Sequence, residues 1–252
     1  MTKATILILG GTQEARELAQ ALAGQPEMNV ITSLAGRTAV PHLPPGRIVQ
    51  GGFGGIDGLV DFIAAHHVTA LIDATHPFAA RMGVQAGLAA DRAQIPLLRL
   101  ERPAWTRQPS DRWDEVDDWD QAADALKTNA ARILLAIGRQ ELAPFAVLDH
   151  LWFLIRSVER PDPMPPFRQA EFLAARGPFS IADETALLRA HAIDTIVCKN
   201  SGGTASAAKL VAARELGLRV VMRRRPARPV TETVTQVDQA LVWAIRVRSP
   251  AR

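Results

Sequence analysis

Along this chain the apolar positions switch between two periods, short continuous runs and runs that recur every three or four residues. An apolar run, Ile6 to Leu9, breaks at Gly10-Gly11-Thr12 and passes into a pattern in which Leu18, Ala19 and Leu22 recur between Glu14, Arg16, Glu17 and Gln20. That pattern predicts a buried strand, a tight turn and an amphipathic helix. Further strands are expected at 29–34, 47–49, 68–73 and 96–100, with helices at 56–66 and 78–92; Pro77 fits the first turn of the latter. Residues 106–120 are polar and charged, with no convincing strand or helix before Trp119. A second series then follows: helix 119–129, strands 132–137, 151–156 and 171–174, helix 180–191, strand 194–198, helix 204–216, strand 219–222 and helix 235–247. Alternation of this kind predicts an α/β fold with parallel sheets flanked by helices. The two halves, 1–115 and 116–252, look like two copies of one architecture, with the order of strands, and any exchange of strands between the halves, left open.

The first turn is the first candidate for chemistry. A helix N-terminus directs unpaired N–H groups and the positive end of its dipole at whatever lies over the turn, and a phosphate suits that position. The dinucleotide fingerprint G-x-G-x-x-G/A falls here on Gly10, Thr12 and Ala15, while Gly11 lets the backbone approach a ligand closely. The same turn also serves as an ordinary strand-to-helix connection. About twenty positions past the first glycine, where an NAD-binding protein carries an acid for the ribose, this chain has Ser33, followed by Arg37 and Thr38. A guanidinium attracts a 2′-phosphate that a carboxylate would repel, so the pair favours NADPH over NADH. Gly51-Gly52-Phe53-Gly54-Gly55 reads either as a mobile turn or as main chain against which a flat ligand lies. Asp73, Thr75 and His76 follow a strand, where open parallel sheets collect ligands. His76 equally suits a structural role.

In the second half Arg139, Arg156, Lys199 and the run Arg223-Arg224-Arg225 fall at or just past strand ends, and Ser201 is expected beside a helix N-terminus. Set along one rim of a parallel sheet, these side chains would converge on a ligand with several negative charges.

Composition narrows the alternatives. With 252 residues, 48% hydrophobic, 22% charged and a formal net charge of +3, the chain gives no whole-protein case for nucleic acid. A local cluster of Arg219, Arg223, Arg224, Arg225 and Arg228 stands out against that balance. One cysteine, Cys198, excludes an internal disulfide and suits a reducing cytoplasm. No signal peptide or membrane-length apolar run is visible. Six scattered histidines offer no metal-ligand spacing.

Taken together, ILILGGTQEARELA at 6–19, GGFGG at 51–55, DATHPFA at 73–79, RPAW at 102–105, IGRQ at 137–140, CKNSGG at 198–203 and ARELGLRVVMRRRP at 213–226 resemble the precorrin-6A reductase family of cobalamin biosynthesis. The resemblance spans almost the whole chain in one order. It implies two Rossmann-like lobes with the active site in the cleft between them, and NADPH-dependent reduction of the C18=C19 double bond of a corrin precursor to give precorrin-6B. On that basis the first lobe would hold NADPH through Gly10, Gly11, Thr12, Ser33, Arg37, Thr38, Gly54 and Gly55. The second would hold the carboxylates of the tetrapyrrole through Arg139, Lys199, Ser201, Arg223 and Arg224. Hydride comes from the nicotinamide, so positioning dominates the chemistry. A proton must also reach C18, and His76, beside Thr75, is the candidate donor or positioner, with water able to do the same work. No metal, nucleic acid or membrane is expected, and transient contact with neighbouring pathway enzymes is. Two alternatives stand beside this: a two-lobe NADPH-dependent reductase of a small dicarboxylate, in the manner of dihydrodipicolinate reductase, and a non-catalytic NADPH sensor. The absence of tyrosine disfavours a short-chain dehydrogenase, which needs a Tyr-x-x-x-Lys pair.

Overall fold

The structure is a computed structural model that describes residues 3–36 and 43–248. In chain order it runs β1 (Ala4–Leu9), α1 (Gln13–Ala23), β2 (Met28–Leu34), β3 (Arg47–Gln50), α2 (Ile56–Ala65), β4 (Ala70–Asp73), α3 (Ala80–Ala93) and β5 (Leu97–Leu100). It continues with β6 (Arg112–Val116), α4 (Trp119–Leu126), β7 (Arg132–Ala136), a 3-10 turn (Ala143–Phe145), β8 (Trp152–Ser157) and β9 (Ala170–Ala174). The last elements are α5 (Ile181–Ala190), β10 (Thr195–Lys199), α6 (Ala208–Glu215), β11 (Arg219–Arg223), β12 (Thr233–Val234) and α7 (Val237–Arg248).

Two six-stranded sheets result, ordered β12-β5-β4-β1-β2-β3 and β6-β11-β10-β7-β8-β9. Every ladder in both is parallel. All six residues of β1 are buried, as a strand covered on both faces requires. Ile6 and Ile8 pack with Leu18, Leu22, Leu98 and Trp243 on one face, while Leu7 and Leu9 pack with Leu59, Ile63, Leu71 and Ala86 on the other. In the second sheet Ile133 and Leu135 join Trp119, Leu126 and Phe145, and Leu134 and Ile196 join Leu188 and Leu210. Each sheet is thus the middle layer of three, as expected for a doubly wound fold.

Five strands of each sheet follow the same order, β3-β2-β1-β4-β5 in one and β9-β8-β7-β10-β11 in the other. The sixth strands are exchanged. After β5 the chain does not complete its own sheet but adds β6 beside β11, and after β11 it returns to add β12 beside β5. The chain accordingly divides into one unit of residues up to Pro103 together with those from Pro226 on, and another of Ala104–Arg225. This replaces the division at 115/116 and moves the last helix into the first unit.

The strand β6 lies where the hydrophobic pattern predicts none. It is an edge strand in which only Trp113 and Val116 are buried, with charged side chains on its open positions. The approach to it is fixed by Asp111, which is 3% exposed, accepts from the Gln108 N–H at 2.7 Å and pairs with Arg214 of α6 at 2.8 Å. A partner so far along the chain leaves no mark on local periodicity.

Candidate active site

In each sheet the strand order reverses at one point, between β1 and β4 in the first and between β7 and β10 in the second. The crevice beyond the carboxyl ends of strands at such a point is where doubly wound folds bind ligands. Most of the residues singled out from sequence lie at these two rims, one in each unit.

At the first rim, Gly10 donates its N–H to the Ser33 carbonyl at 2.8 Å, and a Cβ there would come within 3.1 Å of Thr32. Gly11 has φ +113° in open space, so its conformation rather than crowding calls for glycine. Thr12 caps α1: its hydroxyl accepts from the Ala15 N–H at 3.1 Å and donates to the Ala74 carbonyl at 2.8 Å, tying the turn after β1 to the turn after β4. Ser33 is buried at the end of β2. Gly54 and Gly55 adopt φ +79° and +110° with nothing within 4 Å of where a Cβ would stand, and Gly55 lies at the start of α2 with no side-chain cap. Sequence reading missed Gly58, where a Cβ would strike the Phe53 carbonyl at 1.7 Å. Arg37 and Thr38 lie outside the described residues.

Beyond β4 a buried ion cluster shapes the turn. Asp73 is 1% exposed; its Oδ1 accepts from the Thr75 N–H at 3.2 Å and the Thr75 hydroxyl at 2.6 Å. Its Oδ2 meets the Arg228 guanidinium, with Arg99 Nε at 3.6 Å. Arg228 also reaches Glu101 at 2.8 Å and Thr75 Oγ1 at 3.2 Å, and α3 makes room for it at Gly83, where a Cβ would lie 2.6 Å from Arg228 Nε. The Thr75 hydroxyl proton is therefore committed to Asp73. His76 accepts the Phe78 N–H on Nδ1 at 3.2 Å, which leaves the proton of the neutral ring on Nε2. α3 begins at Ala80 without a side-chain cap, so Pro77 lies in the turn before the helix and not in its first turn.

At the second rim the strand-end cations are there, but Arg139, Arg156, Lys199, Arg223 and Arg224 each meet a carboxylate of the chain itself, while Arg225 donates to the backbone carbonyls of Asn200 and Ser201. Arg139 pairs with Glu159 at 2.8 Å, Arg156 with Glu184 at 2.9 Å and Arg224 with Asp117 at 2.8 Å. Lys199 and Arg223, register partners on β10 and β11, share Glu141, with Arg223 at 3.0 Å. Both also lie over the Trp119 ring, at 5.8 and 4.9 Å. Burial pushes the Glu141 carboxyl up, but Lys199, Trp119 and Arg223 together outweigh it and hold the group below the ordinary glutamate range. Sequence reading missed Glu141, Glu159 and Asp117, because any one acidic residue in a loop looks solvated. Ser201 lies in the turn after β10, seven positions ahead of α6, which begins at Ala208 and not at 204; its carbonyl accepts from Arg225 at 3.1 Å. Asn200, 7% exposed, clamps the Trp105 backbone, accepting its N–H at 2.8 Å and donating to its carbonyl at 3.0 Å.

Among the described residues no three His, Cys, Asp or Glu are grouped to hold a metal ion, and no helix is long and apolar enough to cross a membrane.

Comparison with known proteins gives one consistent result. A family model described as Precorrin-6x reductase CbiJ/CobK matches residues 5–244. A Precorrin-6A reductase of Rhodococcus erythropolis is 52% identical, over 94% of this chain and 96% of the relative. Another, of Sinorhizobium sp, is 48% identical over 96% and 92%. A solved structure, CobK precorrin-6A reductase, superimposes with a TM-score of 0.92 at 40% identity, covering 99% of both chains.

Proposed function

The chain belongs to the precorrin-6x reductase family, and from that premise we propose that it reduces the C18=C19 double bond of precorrin-6A with NADPH, giving precorrin-6B in cobalamin biosynthesis. The observation that carries this reading is the extent of the match, which runs through both sheets and includes both strand-end rims. A small-dicarboxylate reductase and a non-catalytic sensor gain no support from relatives that match over nearly their whole length.

NADPH is assigned to the first rim. Gly11, Gly54 and Gly55 leave open backbone where a Cβ would otherwise stand, and Thr12 places the N-terminus of α1 beside the turn. Such a turn suits a pyrophosphate. Gly10 and Ser33 hold its base in register, and Arg37 with Thr38 would take the 2′-phosphate. When bound, NADPH supplies the hydride. Asp73, Thr75 and Arg228 hold the turn that carries His76, and His76, with its ring proton on Nε2, is placed to position the water or other donor that protonates C18. The acetate and propionate carboxylates of the tetrapyrrole fall to the second rim, to Lys199 and Arg223 first, with Arg139, Arg224 and Ser201 at its margins.

Anaerobic turnover of precorrin-6A with NADPH and, in parallel, with NADH tests this. Oxidation of NADPH with a two-hydrogen mass gain in the tetrapyrrole, much slower with NADH, is the expected result. NADPH binding without any change in precorrin-6A, or turnover only of its cobalt form, overturns the substrate assignment.

A further inference from the structure

One anionic group at the second rim belongs to the protein itself. Glu141 follows β7 in the turn opened by Gly138, whose φ is +88°. Its two carboxylate oxygens are divided between two cations: Oε2 meets Lys199 Nζ, and Oε1 accepts from Arg223 Nη1 at 3.0 Å. Those cations come from the ends of neighbouring strands and share the face of Trp119. The Glu141 side chain keeps 31% of its exposure and Lys199 18%. A carboxylate that bridges two cations against an aromatic ring, at the point where the strand order reverses, sits as a ligand's carboxylate would.

We propose that Glu141 is an internal stand-in for a substrate carboxylate: it occupies the Lys199–Arg223 pair in the free protein, and one acetate or propionate arm of the tetrapyrrole takes its place on binding. The inference rests on the assignment of Lys199 and Arg223 to substrate carboxylates. Two like charges at adjacent strand ends repel, and a carboxylate between them keeps both aimed at one point before substrate arrives. The exchange is charge-neutral at the rim, because one carboxylate leaves as another enters. The affinity contributed by that arm is then a difference between two similar ion pairs. Return of Glu141 also competes with the product, which carries the same carboxylates.

The test uses equilibrium binding of precorrin-6A without NADPH, together with steady-state turnover. In Glu141→Gln the isosteric amide cannot compete as an anion, so the dissociation constant and the KM for precorrin-6A fall, by roughly three- to ten-fold for the loss of one competing ion pair. The KM for NADPH stays unchanged. Glu141→Asp keeps the charge but cannot span both cations, and falls between Gln and the parent; it also serves if the Gln variant does not fold. A KM for precorrin-6A that is unchanged or higher in both variants overturns the proposal, because a residue that only orients the two cations would weaken binding when removed. Lys199→Gln and Arg223→Gln test the underlying assignment separately. If neither raises the KM for precorrin-6A, that assignment fails; if both raise it and Glu141→Gln raises it too, the stand-in alone fails.

Discussion

Arg228 and Asp73 lie 155 positions apart in the chain and form an ion pair in which neither side chain is more than 5% exposed. The pair anchors the segment that leads into β12 to the end of β4, and so couples the exchanged strand to the turn that carries Thr75 and His76. Arg228 divides its guanidinium between Asp73 and Glu101, while Arg99 approaches the same Asp73 Oδ2 at 3.6 Å and donates to the Pro229 carbonyl at 2.9 Å. Two arginines and two carboxylates therefore balance in charge within one buried cluster.

Removing one member of such a cluster costs more than the pair contributes, because the partner is left charged and buried. Arg228→Met is expected to destabilise the protein by about 3–5 kcal/mol. Urea unfolding followed by far-UV circular dichroism measures it. A loss under about 1 kcal/mol would mean that Arg99 alone satisfies Asp73.

The clamp of Asn200 on Trp105 joins two of the motifs read from sequence, RPAW and CKNSGG. Trp105 Nε1 adds a third bond, to the Gly203 carbonyl at 2.7 Å. Asn200→Ala leaves a backbone donor and acceptor unpaired and is expected to cost about 1–3 kcal/mol. Asn200→Asp is expected to cost more, because its buried carboxylate keeps the Trp105 N–H but faces the Trp105 carbonyl with an acceptor. Thermal unfolding of the two variants orders them; Asp milder than Ala would show that the clamp works through shape.

The repeated β-α alternation was legible because strands buried on both faces and one-sided helices write their periods directly into the chain. Ile6 to Leu9 and Leu18 to Leu22 are such cases. The exchange of sixth strands was not legible, since β6 buries only Trp113 and Val116 and β12 is two residues long. The cations at the strand ends were found, but not their partners. Glu141, Glu159 and Asp117 come from turns after other strands, and only the fold brings them to Lys199, Arg139 and Arg224. Arg228 stood in plain view within an arginine cluster, yet nothing local distinguishes a buried arginine from a solvated one.

Glu141 also makes stability depend on pH. Its carboxyl is held below the ordinary glutamate value of 4.5, against the opposing effect of burial, so it binds a proton less readily folded than unfolded. The stability it contributes is complete above the unfolded value and is lost as pH falls through the folded one. As pH falls below the ordinary glutamate value of 4.5 the parent protein should therefore lose more stability than Glu141→Gln. Equal slopes for the two, measured by urea unfolding at each pH, would show that the ion pairs with Lys199 and Arg223 do not persist in solution.

Cys198 lies within β10 and is buried. Burial pushes its thiol up, and the positive charges of Lys209 and Arg156 only partly oppose that. The thiolate is the nucleophile, so native protein should react with an aromatic disulfide reagent at pH 8 far more slowly than urea-unfolded protein. Rapid reaction of the native protein, followed by absorbance, would mean that the second sheet opens readily at β10.

Thr12 separates structural from functional consequences at the first rim. Its hydroxyl does two things, capping α1 at Ala15 and tying the turn after β1 to Ala74 after β4. Thr12→Ser keeps the hydroxyl, and both bonds, at the cost of one methyl. Thr12→Val keeps the shape but loses the cap, which is expected to lower stability by about 1–2 kcal/mol. If the dinucleotide lies against these two turns, the same change loosens the surface that receives it. The KM for NADPH should then rise several-fold while the KM for precorrin-6A moves little, and the Ser variant should restore both stability and KM. A Val variant that is less stable but keeps its KM for NADPH would place the cofactor away from the β1 turn, since a hydroxyl that aligns a binding surface cannot be removed without effect on what binds there.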